Sequence, residues 1–303
     1  VARDTSFSYS FLVLPAAQRQ AVVAVWDFCR AVDDAVDEEP VRAHAEARLA
    51  TWRAEVNRLF DPALAPATPQ GRNLKPLVGR FQLSRQPFDD LVDGVEMDLG
   101  RARYDTLDDL LAYCRRVASA VGLVCIEIFG CRGPEARDYA INLGLALQIT
   151  NIVRDVKGDL ERGRVYLPLE DLARFGCTEQ DLADGRVTPP VARLLAFECA
   201  RAREYYAAAA RAMPADAARQ LVAAEIMGAV YFEILERIER SGYDVFSRVI
   251  RVPKPVRARI ALGVWLRSRF ANRAGRRHPR ERISTGVNHD GSEARRERND
   301  AGI

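Results

Sequence analysis

Two aspartate pairs constrain this chain more than any other feature. Asp33 and Asp37 stand four residues apart in one helix-patterned stretch, and Asp155 and Asp159 repeat that spacing far along the chain. A four-residue separation puts both carboxylates of a pair on one helix face, with Cβ atoms roughly 5–6 Å apart. A bundle that turns the two faces towards each other gathers four negative charges, and their repulsion is relieved only by a strong cation between them. Hard carboxylate oxygens suit magnesium holding a phosphate. The chain is therefore expected to bind a metal diphosphate.

The neighbours of each pair point the same way. Arg30 lies one helical turn before Asp33, within residues 28–38. The second pair extends backwards as Gln148, Asn151, Asp155 and Asp159, a polar stripe of near-helical period in an otherwise apolar segment. Amides and carboxylates have no reason to face a core, because unpaired buried polar groups are penalised. Arg154, Arg162 and Arg164 cluster beside the stripe, and guanidinium groups fork onto phosphate oxygens.

The rest of the pattern is helical. After Pro15, placed to open a helix, Val22, Val25, Trp26, Cys29, Val32 and Val36 recur at helical spacing up to Pro40. Further helices are predicted over 41–60, 71–83, 87–99, 106–129, 134–159, 189–213, 214–240 and 255–270, with strand signals almost absent. The Pro-rich segment 61–69 is the clearest connector. Short Pro- and Gly-marked connections imply one all-α domain over residues 1–272, a helical bundle with a central apolar cavity. The polar remainder, 273–303, has few large apolar residues and is expected to be disordered.

Composition excludes some classes. With 48% hydrophobic residues the 303-residue chain can build a substantial core, and a net charge of +3 gives no general affinity for polyanions. Nucleic acid is not an expected partner. The six cysteines show no paired CxxC spacing and read as reduced core thiols of a cytoplasmic protein. No apolar run is long enough to span a bilayer. Small residues in apolar helical surroundings, Ala118, Ser119, Ala120 and Gly122 in one segment and Gly144 and Ala146 in another, imply either close helix packing or room for a long apolar ligand. Near the end, Lys254, Arg257, Arg259, Arg267 and Arg269 accompany Ile260, Leu262, Val264, Trp265 and Leu266. Such a basic amphipathic helix suits peripheral contact with a membrane surface, here the inner face.

Several blocks together resemble a known family: Ser6-Phe7-Ser8-Tyr9 with Leu14-Pro15; residues 28–38; Gly94-Val95-Glu96-Met97-Asp98-Leu99; Tyr113-Cys114 with Val117, Ala118 and Gly122; and Asn151-Ile152-Val153-Arg154-Asp155 through Arg164-Val165-Tyr166-Leu167-Pro168. Over roughly residues 6–270 the chain resembles the squalene/phytoene synthases, head-to-head prenyl transferases with the all-α isoprenoid synthase fold. The opening residues, Cys29-Arg30 and Gly242-Tyr243-Asp244-Val245-Phe246 look most like bacterial presqualene diphosphate synthases of hopanoid biosynthesis.

The resemblance implies that Asp33, Asp37, Asp155 and Asp159, assisted by Asn151, hold Mg2+ and through it two diphosphates. It places Arg30, Arg154, Tyr166, Tyr231 and Arg248 at phosphate oxygens and Ser6 near the donor diphosphate. Tyr113 and Gln148 match positions beside the reacting carbons, with Tyr166 grouped with them as catalytic. Glu96 and Asp98 match a block of less certain role, a surface helix face being an equal reading. The implied substrate is farnesyl diphosphate, two molecules of which would give presqualene diphosphate, with downstream pathway enzymes as further partners. Phytoene, dehydrosqualene or squalene synthesis is the alternative, and a non-catalytic assembly factor of the same fold a distant one. NADPH is not expected.

Overall fold

The computed structural model describes residues 8–39, 41–100 and 103–274. Helices dominate, and among the described residues the only extended pairing is one parallel bridge, Arg103 with Val165. The all-α expectation is borne out. A short α1 (Ser8–Phe11) precedes α2 (Ala16–Asp37), α3 (Arg42–Phe60), α4 (Pro69–Phe81), α5 (Gln86–Gly100) and α6 (Leu107–Cys114). A π-helical segment (Arg115–Ser119) then leads into α7 (Ala120–Phe129), α8 (Pro134–Glu161), α9 (Leu169–Phe175), α10 (Glu179–Ala183), α11 (Pro189–Ala212), α12 (Val222–Arg240) and α13 (Lys254–Ala274).

Apolar periodicity divides these helices between two cores. One gathers Val22, Val25 and Phe28 of α2 with Leu49 of α3, Leu74 of α4 and Leu91 of α5. The other gathers Leu110 of α6, Leu194 and Leu195 of α11, and Ile234 and Leu235 of α12. The 28-residue α8 serves both, giving Tyr139 and Leu143 to the first and Ile149, Ile152 and Val153 to the second. At 1.5 Å per residue it is about 42 Å long, enough to run the length of a bundle with a cavity between the two cores.

Differences from the predicted elements have local causes. Pro15 is the N-cap of α2 rather than its first helical residue. Residues 106–129 form two helices joined by the π segment, not one helix. A predicted helix over 214–240 begins only at Val222, because residues 214–221 turn after Pro214. Sequence reasoning missed α9 and α10, whose seven and five residues are too short to show a period. The connector 61–69 is ordered by a buried acid: Glu55 accepts from Ala67 N and Thr68 N, both at 2.9 Å, and from Thr68 Oγ1 at 2.8 Å. The predicted tail lies outside the described residues from 275 onwards.

The small residues resolve as both readings at once. A Cβ on Gly144 would come within 2.7 Å of the Ser119 backbone, and one on Gly94 within 2.7 Å of Val117 Cγ1. Glycine therefore lets α8 and α5 close on the π segment from two sides. Ala118, Gly122 and Gly144 also line the cavity.

Candidate active site

The cavity between the cores holds about 1100 Å³, at the upper end of ordinary ligand pockets. Its lining changes character along two helices in the same direction. On α2 it runs from Val22 and Val25 through Cys29 to Arg30, Asp33 and Asp37; on α8 it runs from Tyr139 and Leu143 through Leu147 to Gln148, Asn151, Asp155 and Asp159. One end is thus apolar and the other is charged, the aspartates of both motifs standing beside Arg30, Arg154, Arg162 and Arg164. Both aspartate motifs sit near helix C-termini, Asp37 closing α2 and Asp159 two residues from the end of α8. The helix dipoles there add negative potential, which favours a cation.

Two of the acids at this end, Asp33 and Asp159, lack close hydrogen-bonded partners. Among the described residues Asp33 accepts no hydrogen bond, and Asp159 has only Arg162 at 3.9 Å. Burial pushes Asp33 up to about 7, with the charges of Asp37 and Asp98 adding to the shift. Asp159 is likewise raised to about 7, first by burial and then by Asp155. Arg154 forks onto the Asp155 carboxylate beside it, its Nε donating at 2.8 Å. Arg164 is the link between the motifs: the chain reverses at Gly163, where φ is +74°, and the Arg164 Nη1 donates to Asp37 Oδ1 at 2.9 Å across the cavity mouth.

A fifth carboxylate joins them. Asp98 of α5 accepts from Tyr166 OH at 2.8 Å and Tyr113 OH at 3.1 Å, and the two rings stack with centroids 5.2 Å apart. Burial raises Asp98 to about 6 against the opposing pull of Arg164. Sequence reasoning left Asp98 undecided. The available signal was its spacing: Leu91, Val95 and Asp98 fall on one helix face, and all three line the cavity. Glu96, on another face, instead accepts from Arg53 Nη2 at 2.6 Å.

Of the residues expected at the site, Arg30, Asp33, Asp37, Tyr113, Gln148, Asn151, Arg154, Asp155, Asp159, Tyr166 and Tyr231 all line this one cavity. Arg30 turns aside to Asp34, 3.3 Å away. Arg248 is exposed and does not line the cavity. It follows the Asp244 turn, in which that carboxylate accepts from Phe246 N and Ser247 N, and the cavity receives Arg251, Lys254 and Arg257 from the same region instead. Ser6 lies outside the described residues.

The donor set fits magnesium held together with phosphate oxygens. The buried Asn151 Oδ1 has no partner, although it stands one turn from Asp155. Among the described residues no three acidic, histidine or cysteine side chains converge as a protein-only metal cage would require. Magnesium is characteristically bound by one or two carboxylates plus substrate phosphates.

The family model for squalene/phytoene synthase matches residues 1–257. The chain belongs to the squalene/phytoene synthase family. A phytoene synthase from Arthrospira platensis is 39% identical over 256 residues, covering 80% of this chain and 82% of that protein. The crystal structure of squalene synthase HpnC from Alicyclobacillus acidocaldarius superposes with a TM-score of 0.70 at 33% identity, covering 78% of this chain and 89% of that one. A dehydrosqualene synthase solved with a ligand gives 0.77 at 28% identity, covering 88% and 93%. The isoprenoid synthase fold expected of a family member is thereby shown. The finer likeness to presqualene diphosphate synthases does not stand out, since relatives at 37–39% identity are phytoene synthases.

Proposed function

We propose that this family member joins two prenyl diphosphates head to head, with geranylgeranyl diphosphate as substrate and phytoene as product. The observation that carries the reaction type is the polarity of the cavity: two aspartate motifs bridged by Arg164 at one end, and a deep apolar chamber at the other. The choice of substrate rests on the phytoene synthases among its relatives. Farnesyl diphosphate and presqualene diphosphate, expected from the sequence, become the second reading, supported by the likeness to squalene and dehydrosqualene synthases.

In this reading Asp33, Asp37, Asp155, Asp159 and the orphaned Asn151 Oδ1 hold magnesium, which when bound neutralises charge on the diphosphates. Arg154 and Arg164 move from their carboxylate partners to phosphate oxygens and stabilise the leaving pyrophosphate as its C–O bond breaks. The C2–C3 double bond of the second prenyl chain attacks the allylic cation, and loss of a proton closes a cyclopropane that still carries the second diphosphate. Departure of that pyrophosphate, ring opening with rearrangement and loss of a second proton then give phytoene with no reductant. Apolar walls from α2, α7 and α8 keep water from the cation. Burial holds the Tyr113 and Tyr166 phenols well above their usual range. They therefore act as neutral donors fixed on Asp98, and the proton goes to the departing pyrophosphate.

The deciding experiment supplies magnesium with geranylgeranyl or farnesyl diphosphate, with and without NADPH, and identifies products. Magnesium-dependent pyrophosphate release with a C40 product from geranylgeranyl diphosphate is expected. Turnover of farnesyl diphosphate alone would favour the second reading. No turnover of either would leave a non-catalytic protein of this fold.

A further inference from the structure

The chain's basic residues are unevenly placed. From Ser247 to Ala274 there are eight lysines and arginines and no acid; removing those eight from the total of 45 leaves 37 basic against 42 acidic residues elsewhere. Most of this basic stretch is α13.

The two faces of α13 have different fates. Ala261 and Val264 are buried in the second core, with Val256, Ile260 and Trp265 packed against it. Leu262, Leu266 and Phe270 recur every four residues on the opposite face and stay 57%, 40% and 58% exposed. Exposed Arg259, Arg267 and Arg269 flank that stripe, Arg269 lying 4.9 Å over the Trp265 ring. Large apolar side chains in a contiguous exposed row mark an interaction surface. The helix also begins at the cavity: Val249, Arg251 and Lys254 are exposed and line it, so they form part of its rim. From Lys254 to Phe270 the helix runs about 24 Å.

We propose that the outward face of α13 docks on an anionic lipid bilayer and thereby sets the cavity rim against the membrane. The apolar stripe enters the headgroup boundary while its arginines meet anionic headgroups. No helix among the described residues is long and apolar enough to cross a membrane, so the contact lies in the surface. A second copy of the chain suits this face poorly, because an isologous pairing would set its arginines against themselves. The chain beyond Ala274 suits it no better, having only Ile283, Val287 and Ile303 as large apolar residues among many arginines. If the proposed prenyl substrates are correct, docking lets them pass between bilayer and cavity without crossing water; the docking itself does not depend on their identity.

Flotation of the full chain with vesicles of phosphatidylcholine, with and without phosphatidylglycerol, at low and high salt, tests this directly. Binding to the anionic vesicles at low salt, weakened by high salt, is expected. The double variant Arg259→Gln/Arg269→Gln should weaken it roughly 30-fold, from the usual contribution of two surface cations. The triple variant Leu262→Ser/Leu266→Ser/Phe270→Ser should abolish it while helix content and melting temperature stay unchanged. Equal binding to both lipids, binding to neither, or binding untouched by the triple variant would overturn the proposal. So would a wild-type dimer that the triple variant dissolves without any vesicle binding, or vesicle binding that appears only once residues 275–303 are cleaved away.

Discussion

Acids gather at two places in this bundle, and they are treated differently. At the polar end of the cavity Asp33 and Asp159 crowd other carboxylates with little hydrogen-bonded compensation. Beneath α9, Asp171 and Glu198 are almost fully buried, yet both are served by Arg201, which donates to Asp171 at 2.8 Å and to the two Glu198 oxygens at 2.7 and 2.8 Å. That triad ties α9 to α11 and is capped by the Phe197 ring, 4.8 Å from the Arg201 guanidinium. The same residue types thus serve two ends. Where Arg201 is hydrogen-bonded to both acids, they tie the packing together; where Asp33 and Asp159 lack such close partners, the acids stand at the site proposed to bind a metal diphosphate.

The largest effect should come from the cavity site. Asp33→Ala and Asp155→Ala are each expected to lower turnover roughly a thousandfold, the scale of losing a preorganised electrostatic contact. Far-UV circular dichroism should show the helices intact. Magnesium with a non-hydrolysable prenyl diphosphate should raise the wild-type melting temperature by mass action and fail to do so in Asp155→Ala. Full activity in either variant would erase the distinction between the two acid groups.

Next in size is the triad. Arg201→Met leaves two buried carboxylates without their cation and should cost about 3–5 kcal/mol in urea denaturation. Turnover per folded molecule should change little, because Arg201 does not line the cavity. A collapse of turnover without loss of stability would reverse the assignment.

The smallest effect sharpens the comparison through pH. Burial raises Glu198 from 4.5 to about 7, with Arg201 opposing and Asp171 adding to the shift. A raised carboxyl favours the folded state while protonated, so this stabilisation is complete below about pH 4.5 and is lost as pH rises through 7. Between pH 5 and 7 the loss from Glu198 should be about 1–2 kcal/mol; Asp33, Asp159 and Asp98 titrate in the same range, so Glu198→Gln should make the slope shallower by that amount without removing it. An unchanged slope in that variant would place the titration elsewhere.

Much of the site was legible because its signals are local. The pairs Asp33/Asp37 and Asp155/Asp159 and the stripe Gln148, Asn151, Asp155 follow from helical period alone, and they do share one cavity. Asp98 was ambiguous because Glu96 and Asp98 are two residues apart, and which one turns inward depends on Gly94 closing on Val117. Arg248 was placed by resemblance, but the chain between α12 and α13 has no regular period from which to read a facing.

By itself the sequence determined most of the long helices, the acid pairs, the amphipathic character of α13 and the family. Each is encoded within a few residues or in matched blocks, so no long-range contact is needed to read it. Tertiary structure alone decided that Arg164 reaches Asp37 from 127 residues away, that Tyr113 and Tyr166 converge on Asp98, and that Leu262 and Leu266 face outward while Val264 packs inward. These depend on how close neighbouring helices come and which face each buries, and packing settles both only when all the elements are in place.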